Sequence, residues 1–359
     1  MNGTEDKEAN FIISPFSIWS ALAMASGGAE AETLQQMQTV LSLPAEHSHD
    51  LVSGWSRSLG RAGGVKMKVA NRLWGRKGLP FRPDFLKLSS QQYQATLGRV
   101  EFRDNPDGAR KQINRWVSDQ TEHKIKDLLA PGVVDTSTEL VLTNAIYFNG
   151  KWVHPFTREG TEKRGFTLAS GEKVEPVTMR NWLNVNYMEN RRLQAVRLSY
   201  EGDDMSMIVV LPRKRDVLIR SKAFLDAPGF AGVLAALKPN PRGVVVQLPK
   251  FEAAAKLLLS VKLKDMGMTR AFSDKAQFNP LCEQPLEISE VIHQAWVKVE
   301  EKGTEAAAAT AVVWYPVSAS IPSKTPPKMF IADHPFLFFI IDNRNGGIVF
   351  AGRVMRPGN

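Results

Sequence analysis

The chain has 359 residues, 43% hydrophobic and 23% charged, a soluble globular composition with enough apolar sequence for a large core. Its net charge of +9, from 46 Lys plus Arg against 37 Asp plus Glu, raises heparin, nucleic acid or an anionic membrane as partners. A single cysteine, Cys282, excludes an intrachain disulfide and a cysteine metal cluster.

Along the chain, Met1 to Ala9 are polar without a signal-like apolar core, and Asn2-Gly3-Thr4 is a formal glycosylation sequon. Localisation is left undetermined, with a lean to an extracellular setting. Glu30 to Leu41 has helical spacing, with Leu34, Met37 and Leu41 on one face, and stops before Pro44. Asp107 to Leu129 reads as a second helix, its stripe formed by Ile113, Trp116, Val117, Ile125 and Leu128 and its stop by Pro131-Gly132. Strand runs follow at Leu140 to Leu142, Met205 to Leu211 and Val244 to Leu248, then a helix over Leu257 to Met266 that Gly267 ends. The longest apolar run, Phe336 to Ile341, is far shorter than the roughly 18 residues of a membrane-crossing helix. With the turn residues Asp342 to Gly347 and the returning Ile348 to Ala351 it predicts a terminal hairpin.

Candidate chemistry is sparse. The basic clusters, Arg213-Lys214-Arg215 with Arg220 and Lys222, Arg76-Lys77 and Arg191-Arg192, read as solvated loops, which leaves room for weak polyanion binding only. Six histidines show no ligand spacing, so no metal or cofactor is expected. No nucleophile elbow, phosphate-cradling loop or dinucleotide fingerprint occurs, and no residue is assigned a catalytic role. Cys282, beside Leu281, reads as a small residue at a core edge.

The segment from Glu301 to Val313 is different in kind. Gly303 precedes Thr304 and Glu305, then Ala306, Ala307, Ala308 and Ala309 favour helix, while Val312, Val313, Trp314 and Tyr315 favour strand. In a strand, Thr304, Ala306, Ala308, Thr310 and Val312 form one row, small and uncharged, that can enter between two existing strands without burying a charge.

This hinge resembles that of the serpins, and further motifs lie in family order. They include Asn10 to Ile18, Ala70 to Trp74, Ile113 to Val117, Leu142 to Trp152, Leu211-Pro212, Leu248 to Phe251, Val291 to Ala295, His334 to Phe338 and Phe350 to Val354. The resemblance implies an α+β serpin fold: a large, mostly antiparallel central sheet with further sheets, surrounding helices and an exposed reactive loop. Where length alone points to roughly two domains, it implies a single domain over 1–359, with the reactive loop at about 301–330 and the family's first helix missing before residue 10.

It also implies the function: an irreversible, monomeric suicide-substrate inhibitor that holds a serine protease as a covalent acyl complex while its cut loop inserts into the central sheet. Counting sixteen positions beyond Glu301, as in inhibitory relatives, places the cut at Val317-Ser318, which suits an elastase-like protease. Trp314-Tyr315 would suit a chymotrypsin-like one, and subtilisin-like targets stay open. Ser14, Ser17, Asn144 and His293 are expected to control sheet opening, with Trp152 and Glu301 where insertion begins; His293 taken alone would read as an ordinary core histidine. The alternative is a non-inhibitory serpin used as carrier or chaperone, which often has charged or bulky residues in the inserting row.

Overall fold

A computed structural model describes residues 8–220, 224–304 and 327–358, and in them helices cover three sheets of seven, six and four strands beside a two-stranded ribbon. The widest runs in the order Phe11–Ile13, Ile348–Val354, Phe336–Asp342, Met205–Pro212, Leu193–Ser199, Asn186–Glu189 and Lys238–Pro239, antiparallel throughout. The expected terminal hairpin supplies its second and third strands, Phe336 facing Val354, beside the edge strand Phe11–Ile13. Met205–Pro212 is buried along its whole length because both faces are covered. Met207, Val209 and Leu211 enter the main core, while Ile208 and Val210 pack with Phe230 and Val233 of the helix Ala227–Ala236. This explains why Met207 to Leu211 is a continuous apolar run instead of an alternation.

The six-stranded sheet, here the central sheet, has the order Phe251–Leu258, Glu290–Glu300, Gly303–Thr304, Leu140–Lys151, Val65–Arg76, Gly98–Val100. The helix Pro15–Ser26 lies against one face, with Ser14 as its N-cap accepting from the Ser17 amide at 3.1 Å. Ile113 and Val117 of the helix Pro106–Gln120 cover the other, over Ala70, Trp74, Val141, Ala145 and Ile292. The outer sheet has the order Lys328–Ile331, Val244–Pro249, Val177–Leu183, Glu162–Lys163, with Lys328–Ile331 parallel to its neighbour at the edge.

Two sequence expectations need correction. The helix begun near Asp107 ends at Gln120 and not at Leu129. Thr121 turns its hydroxyl back to the Val117 carbonyl at 2.8 Å, and Glu122 and His123 take left-handed φ values of 51° and 61°, which break the helix. Ile125 and Leu128 remain buried, so the apolar stripe persisted without the helix. The helix expected over Leu257 to Met266 is only Ser260–Asp265. Leu257 and Leu258 close the preceding strand, opposite His293 and Ile292, because ladder pairing overrides local propensity. The run at Leu140 extends to Lys151; its buried polar Thr143 and Asn144 interrupt the apolar pattern but not the strand.

Phe338, fully buried against Phe251 with ring centroids 5.2 Å apart, ties the hairpin to the central sheet. Phe338→Ala is expected to lower unfolding stability by about 3–5 kcal/mol, read as a fall in the urea midpoint.

Candidate functional site at the seam of the central sheet

Leu140–Lys151 and Glu290–Glu300 run parallel and pair directly from Val141–Glu290 to Tyr147–Trp296. Beyond that stretch they part, and Gly303–Thr304 lies between them, antiparallel to both: Thr304 faces Val299 on one side and Gly150 on the other. The chain reverses through Glu301-Lys302 and so delivers its next residues into the seam. Gly303 is required there. Its φ is +153°, and a Cβ would stand 2.0 Å from the Gly150 carbonyl oxygen.

Around this entry point, Thr304 is buried and its hydroxyl shares a 2.7 Å hydrogen bond with the Tyr200 phenol. Tyr200 in turn stacks on Trp152, centroids 4.5 Å apart and planes 16° from parallel, and burial pushes its pKa up. Trp152 fastens the reversal by donating from its ring to the Glu300 carbonyl at 3.1 Å and from its amide to the Lys302 carbonyl at 2.9 Å. Glu301 pairs with Lys250 at 2.8 Å. Burial alone would raise the Glu301 carboxyl, but the Lys250 ammonium and neighbouring hydrogen bonds outweigh it and hold the group charged.

Lower in the seam, Asn71, Asn144 and His293 stand side by side on three adjacent strands. The Ser14 amide donates to His293 Nε2 at 3.1 Å, so that nitrogen is an acceptor and the proton sits on Nδ1, which donates to Asn144 Oδ1. The Asn144 amide group is thereby turned to donate to the Ser17 carbonyl at 3.0 Å, to the Ser17 hydroxyl and to Asn71. The Ser14 hydroxyl donates to the Val349 carbonyl at 2.7 Å, which joins the network to the widest sheet. Burial lowers the His293 pKa to about 3, and a proton on Nε2 would meet the Ser14 amide head-on.

Ser14, Ser17, Asn144 and His293 thus form one cluster, and Trp152, Glu301, Gly303 and Thr304 a second at the mouth of the seam. Glu305, Ala306, Ala307, Ala308, Ala309 and Thr310 lie outside the described residues, as do Trp314, Tyr315, Val317 and Ser318. Sequence reasoning did not single out Asn71, Tyr200 or Lys250 for the site. Asn71 carried a usable signal, a polar residue amid the Val65–Arg76 strand; Tyr200, at a strand end, carried none.

At the far end, Lys328 is bound through Glu189, whose carboxylate also meets Arg213 at 2.7 Å; these two cations hold Glu189 down at about 2. Among the described residues no group of three or more His, Cys, Asp or Glu is placed to hold a metal ion, and no helix is long and apolar enough to cross a membrane.

The His293 network sets a pH dependence. Between the ordinary histidine pKa of about 6.5 and the native value of about 3, an opened state binds a proton that the closed seam refuses, so stability falls as pH drops through this window. The thermal midpoint is expected to fall from pH 7 to 5, before most carboxylates titrate. His49, also lowered by burial, shares this window. The contribution of His293 is therefore read as the difference from His293→Gln, whose midpoint should fall less steeply.

The family model for serpins, serine protease inhibitors, matches residues 2–357. An uncharacterized serpin-like protein of Methanosarcina mazei is 36% identical over 97% of this chain and 82% of its own length. The leukocyte elastase inhibitor of Bos taurus is 36% identical over 97% of this chain and 93% of its own. Among solved structures, Serpin48 of the insect Tenebrio molitor superposes with a TM-score of 0.84 at 31% identity, covering 98% of this chain and 94% of that one. With the family model spanning nearly the whole sequence and relatives this similar end to end, the chain belongs to the serpins, the serine protease inhibitor family.

Proposed function

We propose that this chain is a suicide-substrate inhibitor of serine proteases, a single domain whose reactive loop spans about 301–330 and is cut between Val317 and Ser318. The observation that carries this reading is Gly303–Thr304 lying between two strands and antiparallel to both. Thr304 faces inward to Tyr200, and strand alternation continues that row through Ala306, Ala308, Thr310 and Val312, all small and uncharged. Insertion of the segment then needs no buried charge, and Glu305 falls in the opposite row.

In this reading the protease serine attacks the Val317 carbonyl. The Ser318 amine leaves with a proton supplied by the protease's own histidine, and the Val317 acyl-enzyme remains. Freed at that end, the chain from Thr304 to Val317 zips into the seam as a strand. Its 14 residues, at about 3.3 Å each, reach on the order of 45 Å and carry the protease across the molecule. Ser14, Ser17, Asn144 and His293 hold the seam shut beforehand, while Trp152 and the Lys250–Glu301 pair fix where insertion starts. The useful stability is a barrier to premature insertion.

An elastase-like target fits a small branched residue before the cut, and similarity to leukocyte elastase inhibitors supports it. Cleavage at Trp314-Tyr315 by a chymotrypsin-like enzyme is the second option. A carrier or chaperone role is disfavoured because the inserting row lacks charge and bulk. The protein would act as a monomer, with weak polyanion binding at most.

Mixed with neutrophil elastase, the protein is expected to give a complex that survives denaturing gels and a released peptide beginning at Ser318 by mass spectrometry. Cleavage without complex, and without a gain in thermal midpoint of the cleaved protein, would remove the inhibitory reading. Thr304→Arg places an unpaired charge in the seam at a burial cost of several kcal/mol. It should turn the protein into a substrate, cut at the same bond with the complex yield reduced at least about tenfold.

A further inference from the structure

The outer sheet carries an exposed apolar row that the seam does not use. Trp182, Val245 and Met329 are register partners on three adjacent strands and face away from the core, where Met179, Leu183, Val244, Val246 and Phe330 point. Trp182 is 66% exposed and Met329 43%. Three neighbouring strands at about 4.8 Å spacing make this row about 10 Å wide.

Trp182 is held in place despite its exposure. Its ring N–H donates to the Arg242 carbonyl at 2.8 Å, and its amide is capped by Asn181 Oδ1 at 2.8 Å. The indole lies over Gly243, whose φ is +67° and where a Cβ would meet the ring nitrogen at 2.1 Å. The turn carrying Gly243 is itself fixed, Gly243 N–H to the Asn240 carbonyl at 3.0 Å and Arg242 N–H to Asn240 Oδ1 at 3.1 Å. A large aromatic surface left in water yet locked in one position loses little conformational entropy when a partner covers it, the condition under which tryptophan contributes most at interfaces.

The row also lies beside the bait. Met329 belongs to the strand on which the chain re-enters the fold after the reactive loop. From Ser318 to Met329 the chain can reach on the order of 36 Å at full extension, whereas a protease domain of about 200 residues has a radius of gyration of roughly 16 Å and is more than twice that across. An enzyme engaged at the loop therefore stands within reach of this face.

We infer that the Trp182–Val245–Met329 face is a second contact surface for the serine protease docked on the reactive loop, taking an apolar patch on the enzyme outside its substrate cleft. This rests on the inhibitory reading above. Such a surface acts on the encounter and not on insertion, so it sets how fast the complex forms and leaves the partition between trapping and hydrolysis alone.

The test is the second-order rate constant for covalent-complex formation with neutrophil elastase, measured for the unaltered protein, Trp182→Phe, Trp182→Ala and Met329→Ala. Trp182→Ala is expected to slow complex formation about tenfold, with Met329→Ala and Trp182→Phe slowed less. The number of inhibitor molecules consumed per enzyme and the thermal midpoint should not change. Equal rates within twofold for Trp182→Ala would overturn the inference while leaving the inhibitory mechanism standing. Failure of the unaltered protein to form a complex with either neutrophil elastase or chymotrypsin, with no gain in thermal midpoint on cleavage, would instead remove the mechanism, and this face with it. A dimer seen by light scattering that Trp182→Ala abolishes would assign the face to a second copy of the chain and likewise overturn it.

Discussion

The parallel contact between Leu140–Lys151 and Glu290–Glu300 is the constraint on which the rest of this molecule depends. Both strands also have antiparallel partners, Val65–Arg76 on one side and Phe251–Leu258 on the other. A strand that entered between them from the Gly303 end would run antiparallel to each, replacing one parallel ladder by two antiparallel ones. The fold thus contains a vacancy in its preferred pairing, closed by direct contact of strands that a further strand would separate. Beside that direct pairing, a directional chain of hydrogen bonds from Ser14 through His293 and Asn144 to Ser17 and Asn71 spans the seam, and no member is charged.

Polarity suits this position better than apolar packing. An apolar seam would gain stability from burial in either state, whereas a hydrogen-bonded seam is satisfied in one geometry and leaves buried orphans in intermediate ones, which raises the barrier between them. The neutral tautomer of His293 is part of this, because a single donor and a single acceptor on the ring give the network its direction. At the mouth the contacts differ in kind: one ion pair, Lys250–Glu301, and one aromatic stack, Trp152 on Tyr200.

Much of the fold was legible because family motifs sit at its buried joints. The Asn10 to Ile18 run became the edge strand, cap and helix that carry Ser14 and Ser17, and the terminal hairpin followed from an apolar run, turn residues and a return. Long-range pairing was not legible. Leu257 and Leu258 are good helix formers locally, and only their partners His293 and Ile292 make them strand. The helix end at Gln120 depended on a threonine hydroxyl and two left-handed residues, while Ile125 and Leu128 kept the helical spacing beyond it. Within the site, Ser14, Ser17, Asn144 and His293 were found through resemblance. Tyr200 escaped because its role arises from the crossing of two distant chain segments at Thr304.

The two chain ends that flank residues 305–326 are anchored unequally. Gly303–Thr304 is fastened by two residues at the mouth where the two long strands part, above the stretch in which they pair directly. Lys328–Ile331 is a laid-down strand on a different sheet, riveted by Glu189 between Lys328 and Arg213 and by Gln194 on the Met329 carbonyl at 3.1 Å. If the chain between these anchors is cut as proposed, the stem held by only two residues is the one free to move, and the riveted stem stays as a stump. Under the proposed function, direction would then follow from the anchoring, whichever bond in the tether is broken.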